Sequence, residues 1–192
     1  MAALARHYVQ HVRAQQPSPP YTLLGYSFGA GVAFEMALQL EQAGCETRLV
    51  LVDGSPAYVA THTTRGKQKR STRSAETDEA DALAYFVQLF KDVDAAKGAA
   101  AGPHDADALA AAAGSFYRKL VIADTYKPAG RLRAPVTLFT ARDNYVTLGE
   151  DYGLRDVCAG PLRTQQLAGT HRTILAGDAA AAIAAHLSDM LQ

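Results

Sequence analysis

A serine, two candidate acids and a histidine are spaced along this chain in an order that acyl-transfer chemistry can use. Ser27 lies in the stretch LLGYSFGAGVAFEMA, residues 23–37, between Gly25 and Gly29. A serine hydroxyl attacks poorly until a base takes its proton. A sharp strand-turn-helix corner pushes that hydroxyl clear of the backbone. It also aims the free N–H groups of the helix start at any oxyanion formed beside it. Such a corner is crowded, and the two flanking glycines meet the need for small neighbours. Gly-x-Ser-x-Gly after an apolar run and before a helix therefore reads as a nucleophile elbow, with Ser27 as nucleophile.

The base must be one of six histidines. His7 and His11 precede the serine on a first helix. His62 opens a long inserted segment, His104 sits in its Ala/Gly loop, and His186 lies within the last helix. All five read as solvated or structural. His171, in AGTHRTIL, follows the last strand and precedes the final helix, which brings it to the same sheet edge as Ser27. For the acid, Asp53 ends LVLVD and is followed by the tight turn Gly-Ser-Pro, whereas Asp143 follows VTLFTAR one strand later. The commoner hydrolase arrangement takes its acid from the later strand, which favours Asp143 by analogy of fold. The residues themselves leave the two open, since either can be a turn-forming Asp bonded to its own backbone.

These residues need a scaffold, and the apolar patterning supplies one. Leu4, Tyr8, Val9 and Val12 mark one face of an amphipathic first helix, which PSPP breaks. TLLGY is a short buried strand. Residues 28–43 form a helix apolar almost all round, with Gly44 as C-cap. TRLVLVDGS and APVTLFTARD hold unbroken apolar runs, the mark of strands covered on both faces, and LRTQQLAGTH is a weaker case. Asp178 caps a last helix through Ile183, Leu187 and Met190. Strands separated by helices predict a parallel α/β sheet. Between its strands lies an all-helical insertion with stripes at Leu83, Phe86, Val87 and Phe90 and at Leu109, Ala113, Phe116 and Leu120. The predicted organisation is one domain, with residues 1–55 and 132–192 as core and 56–131 as a helical lid over the site.

Composition narrows the function classes. The chain has 192 residues, 48% of them hydrophobic, and zero net charge, so nothing global points to nucleic acid or an anionic membrane. Cys45 and Cys158 make no disulfide framework and fit a reducing cytoplasm. Arg6 and His7 interrupt the apolar core that a signal peptide would need. The longest apolar runs are too short to span a bilayer.

GYSFGAGVAFEMALQL, LVLVDGSPAYV, SFYRKL, EDYGL, VCAG and GTHRTIL, in that order, resemble the thioesterase domain that ends animal-type fatty acid synthases and related polyketide synthases. The likeness runs from about Leu4 to the C-terminus and includes the lid. The resemblance implies an α/β-hydrolase fold with a helical lid. It implies cleavage of the thioester between a finished long-chain acyl group and the phosphopantetheine arm of an acyl carrier protein. By matching motifs, the nucleophile is Ser27, the acid of the DGS motif is Asp53 and the base of the G-x-HRT motif is His171. The backbone N–H of Phe28 would be one oxyanion donor. Phe86, Val87, Phe90, Phe116 and Leu120 would line the acyl groove or form lid core. No metal or redox cofactor is implied, and the partners would be a carrier domain and the rest of a multidomain synthase. The family has further strands before the first helix of this chain, whose loop donates a second oxyanion N–H. A polyketide-releasing enzyme and an inactive docking module, whose basic run Arg65, Lys67, Lys69, Arg70 and Arg73 meets an acidic carrier, are the alternative expectations.

Overall fold

Three short apolar runs and a more polar one become strands that pair side by side. In the computed structural model, which describes residues 1–57, 106–144 and 149–191, they are β1 (Tyr21–Tyr26), β2 (Thr47–Val52), β3 (Val136–Ala141) and β4 (Leu162–Leu167). Among the described residues they form one parallel sheet in the order β1-β2-β3-β4. Helices α1 (Ala2–Gln15) and α2 (Phe28–Gln42) flank β1 in sequence, α3 (Ala106–Thr125) and α4 (Leu154–Val157) flank β3, and α5 (Gly177–Met190) closes the chain. No described helix is long and apolar enough to cross a membrane. Phe86, Val87, Phe90, His62, His104 and the basic run lie outside the described residues, as does the side chain of Phe116.

Alternation along the central strands explains their largely apolar sequences. Leu49, Leu51 and Leu138 enter the core shared with α1 and α2. Val50, Val52, Phe139 and Ala141 enter a second core with Ala179 and Ile183 of α5. Both faces are covered, so β2 and β3 are mostly apolar, and the two threonines of β3, Thr137 and Thr140, are buried. The outer strands differ. Leu24 of β1 is 45% exposed, and β4 buries only Leu167.

The nucleophile helix is apolar all round because it is buried almost all round, from Ala30 through Leu38 and again at Leu40. Each large side chain so buried contributes about 1.5–3 kcal/mol. Its one buried charge, Glu35, accepts hydrogen bonds from the Tyr126 hydroxyl at 2.5 Å and the Gln39 amide at 2.8 Å. The helix ends where Gly44 turns left-handed, at φ 77°. Gly44 N–H then donates to the Glu41 carbonyl and Cys45 N–H to that of Leu40, a Schellman closure that satisfies two terminal carbonyls.

Three expectations need correction. Tyr8 does not join Leu4, Val9 and Val12 against the core but is 46% exposed beside His7. Its exposure leaves the phenol hydroxyl in water. Asp178 is not the cap of α5: Ala176 holds that place without a side-chain bond. Asp178 lies in the first turn, where its charge meets the positive end of the helix dipole. Leu120 is 43% exposed on α3, so it is not buried as lid core. By backbone proximity the chain divides into two units, Met1–His62 with Thr125–Gln192, and Thr63–Asp124.

Candidate active site

Parallel strands deliver their following loops to one edge of a sheet, where α/β folds place their ligands. Here each strand sends one polar residue to that edge. Ser27 follows β1 directly and Asp53 follows β2 directly, while Asn144 and His171 lie a few residues beyond β3 and β4.

Ser27 turns the chain from strand to helix at φ 54° and ψ −124°, a region costing of order 1–3 kcal/mol for a residue with a side chain. The turn is held by Ser27 N–H donating to the Val52 carbonyl at 3.1 Å and Ala30 N–H donating to the Ser27 carbonyl at 3.0 Å. The N–H of Phe28, first residue of α2, has no carbonyl one turn back to receive it and can serve an oxyanion. Crowding selects the glycines unevenly. A Cβ at Gly25 would stand 2.4 Å from the Gly29 carbonyl oxygen, and one at Gly54 would stand 2.4 Å from that of Ser27. At Gly29 a Cβ would meet nothing within 4 Å. The small residues the elbow requires are therefore Gly25 and Gly54; the expectation for Gly29 does not hold. Gly54 follows β2 and packs on the turn from the neighbouring strand, a need that no local motif announces.

His171 connects the elbow to the acid. Its Nε2 lies 2.9 Å from Ser27 Oγ and its Nδ1 lies 2.6 Å from Asp53 Oδ2. The other groups around Asp53 are donors too. Ala141 N–H and the Tyr152 hydroxyl reach Oδ1 at 2.9 and 2.7 Å, and the Asn144 amide reaches both oxygens at 3.1 and 3.0 Å. The Asp53 side chain is 1% exposed. Burial alone would push its carboxyl up, but the bonds from His171, Ala141, Asn144 and Tyr152 outweigh burial and hold it down at about 2. An ionised carboxylate only accepts, so Nδ1 of His171 carries the proton. In the neutral ring Nε2 is then an acceptor, aimed at the Ser27 hydroxyl. The arrangement can take a proton from Ser27 and hold the resulting imidazolium against a carboxylate.

The depressed value has a consequence for stability. A carboxyl ionising near 3.8 when unfolded and about 2 when folded stabilises the native state fully above the unfolded value. That contribution, about 2 kcal/mol, is lost as pH falls from about 4 through about 2. Urea unfolding at pH 6 and pH 2.5 is expected to show this loss. In Asp53→Asn the part due to this residue is absent at both pH values.

Asp143 stands elsewhere. It pairs with Arg142 at 2.9 Å, accepts from Gly169 N–H at 2.9 Å, and is exposed. It ties the loop after β3 to the loop carrying His171 and does not face the imidazole. His7, His11 and His186 are likewise apart. His11 Nδ1–H donates to the His7 carbonyl, and His186 shares a hydrogen bond with Thr137 beneath α5. Asn144 and Tyr152 were not visible as site residues. Asn144 reads as half of a turn-forming Asp-Asn pair, and Tyr152 as one more apolar residue of the EDYGL stretch.

Comparison with known proteins gives the family and the fold. The profile of the family described as Thioesterase domain matches residues 1–191. Indigoidine synthase of Streptomyces lavendulae is 49% identical over 55 residues, which are 28% of this chain and 4% of that protein. The nonribosomal peptide synthetase atrA of Aspergillus terreus is 33% identical over 99 residues, 50% of this chain and 10% of that protein. The chain thus matches only a small part of these relatives. Among solved structures, the NocB thioesterase domain in covalent complex with a fluorophosphonate nocardicin G analogue superposes with a TM-score of 0.69 at 22% identity, over 100% of this chain and 74% of that one.

Proposed function

Because this chain belongs to the thioesterase domain family, an α/β-hydrolase fold, we propose that it releases a chain held as a thioester on the phosphopantetheine arm of a carrier domain. In this reading Ser27 is the nucleophile, His171 the base and Asp53 the acid. The observation that carries it is the continuous hydrogen-bond chain from Ser27 Oγ through the imidazole to a buried, ionised carboxylate.

The steps follow from the geometry. Ser27 Oγ attacks the thioester carbonyl as its proton passes to Nε2 of His171. Asp53 stabilises the imidazolium, and the Phe28 N–H donates to the oxyanion. The tetrahedral adduct collapses, the C–S bond breaks, and the thiolate leaves with the proton from Nε2. A second nucleophile, water or a hydroxyl or amine of the bound chain, gives its proton to the same nitrogen and attacks the acyl-serine carbonyl; the C–Oγ bond breaks and Ser27 Oγ takes the proton back from Nε2. Water gives an acid, and an internal group gives a ring. Each proton is carried by this chain's own residues, and the reading involves no metal or redox cofactor.

The nonribosomal peptide synthetase atrA named above favours a peptidyl chain. The motif likeness to fatty acid synthase thioesterases favours a long-chain acyl group as a second reading. A panel of peptidyl and long-chain acyl N-acetylcysteamine thioesters, followed by thiol release and product mass, separates them. Peptidyl thioesters are expected to turn over with the higher kcat/KM. A preference for long-chain acyl thioesters would transfer the assignment to the second reading, and no turnover of either would overturn both.

A further inference from the structure

The histidine of this site is gripped by its backbone. Its N–H donates to Asn144 Oδ1 at 2.7 Å, and its carbonyl accepts the Tyr26 hydroxyl at 2.5 Å. The Tyr26 ring also stacks on the imidazole, with centroids 4.9 Å apart and planes 24° apart. Each gripping residue is tied to another member of the site. Tyr26 directly precedes Ser27, and the Asn144 amide donates to both oxygens of Asp53.

We propose that Tyr26 and Asn144 are positioning residues that hold the His171 ring between nucleophile and acid by clamping its backbone on either side. The need for such a clamp is visible in the fold. His171 lies in a loop beyond β4, and its side chain is 43% exposed, so core packing does not fix it. Its two ring nitrogens must nevertheless meet partners on opposite sides, at 2.6 and 2.9 Å. Stacking restricts the ring to one plane. The two backbone bonds set where that plane sits and keep it from sliding along the loop. Asn144 couples acid to base in one side chain, and Tyr26 couples nucleophile to base. Neither touches a reacting atom.

The proposal rests on the reading of Ser27 as nucleophile and His171 as base, and its test separates the two. The full chain is compared with Tyr26→Phe, which keeps the stack and removes the donor, and with Asn144→Ala. Four quantities are measured: the saturating rate and half-saturating concentration for labelling by an alkyl fluorophosphonate, the ¹⁵N shifts of the His171 ring, and the melting temperature. Each variant is expected to label roughly 10- to 100-fold more slowly at saturation. The half-saturating concentration is expected to hold in both variants and the melting temperature in Tyr26→Phe, while the ring ¹⁵N shifts move. Unchanged rate and unchanged shifts in Tyr26→Phe would overturn the clamp, and that variant decides alone if Asn144→Ala fails to fold. An unlabelled wild-type chain would overturn the nucleophile reading. The ring shifts would then still decide the clamp, which survives only if they move.

Discussion

Replacing Ser27 by alanine is expected to lower turnover of a thioester substrate by roughly 10⁵- to 10⁶-fold and to abolish the fluorophosphonate adduct seen by intact mass. The fold is expected to survive. Ser27 makes no side-chain cap bond to α2, so its hydroxyl contributes little to the helix, and alanine meets the same backbone cost at φ 54°. Ser27→Gly sharpens the test. It removes the nucleophile equally and also relieves the positive φ, so stability is expected to rise by about 1 kcal/mol. Lost activity with a gain in melting temperature would mark the strain at the elbow as serving chemistry. A serine variant that still turned over at the wild-type rate would sink the acyl-serine mechanism.

Replacing Asp53 by asparagine is expected to cost roughly 10⁴-fold in kcat, with substrate binding nearly unchanged. An amide at this position presents N–H where the carboxylate accepted. It would set donor against donor at His171, Asn144, Tyr152 or the Ala141 N–H. The imidazole then loses its enforced tautomer and the anion that supports its charged form. About 1–3 kcal/mol of stability is expected to go with it, since buried donors lose their acceptor. The matched control is Asp143→Asn. Its carboxylate faces Arg142 and Gly169 at the surface, so kcat is expected to change less than about threefold. Equal losses at the two positions would remove the grounds for assigning the acid to Asp53.

The two aspartates show where sequence reasoning stopped. Both end apolar strands, both precede turns, and one strand step separates them. What distinguishes them is a distance across the sheet, which no local pattern encodes. The motif resemblance named Asp53, and the 2.6 Å contact with His171 agrees with it. The strands, the elbow and the position of His171 were legible because each rests on a run of neighbours in sequence. Gly54, Asn144 and Tyr152 were not, because each acts on a residue from another strand. The likeness that pointed to fatty acid synthases carried to the thioesterase family and its fold. The motifs surround the nucleophile, acid and base of the proposed mechanism, and the chain released is left for the thioester panel to decide.

Ser27 and Asp53 precede the long segment between β2 and β3, whereas Asn144 and His171 follow it. On the proposed roles, a chain cut within that segment is expected to yield one piece holding the nucleophile and acid and another holding the base, neither able to acylate itself. Only reunion of β2 with β3, through the register Leu49–Val136 to Val52–Phe139, restores the proton path. On those roles the site would serve as a split reporter, in which covalent labelling is expected to read out the association of two otherwise silent halves.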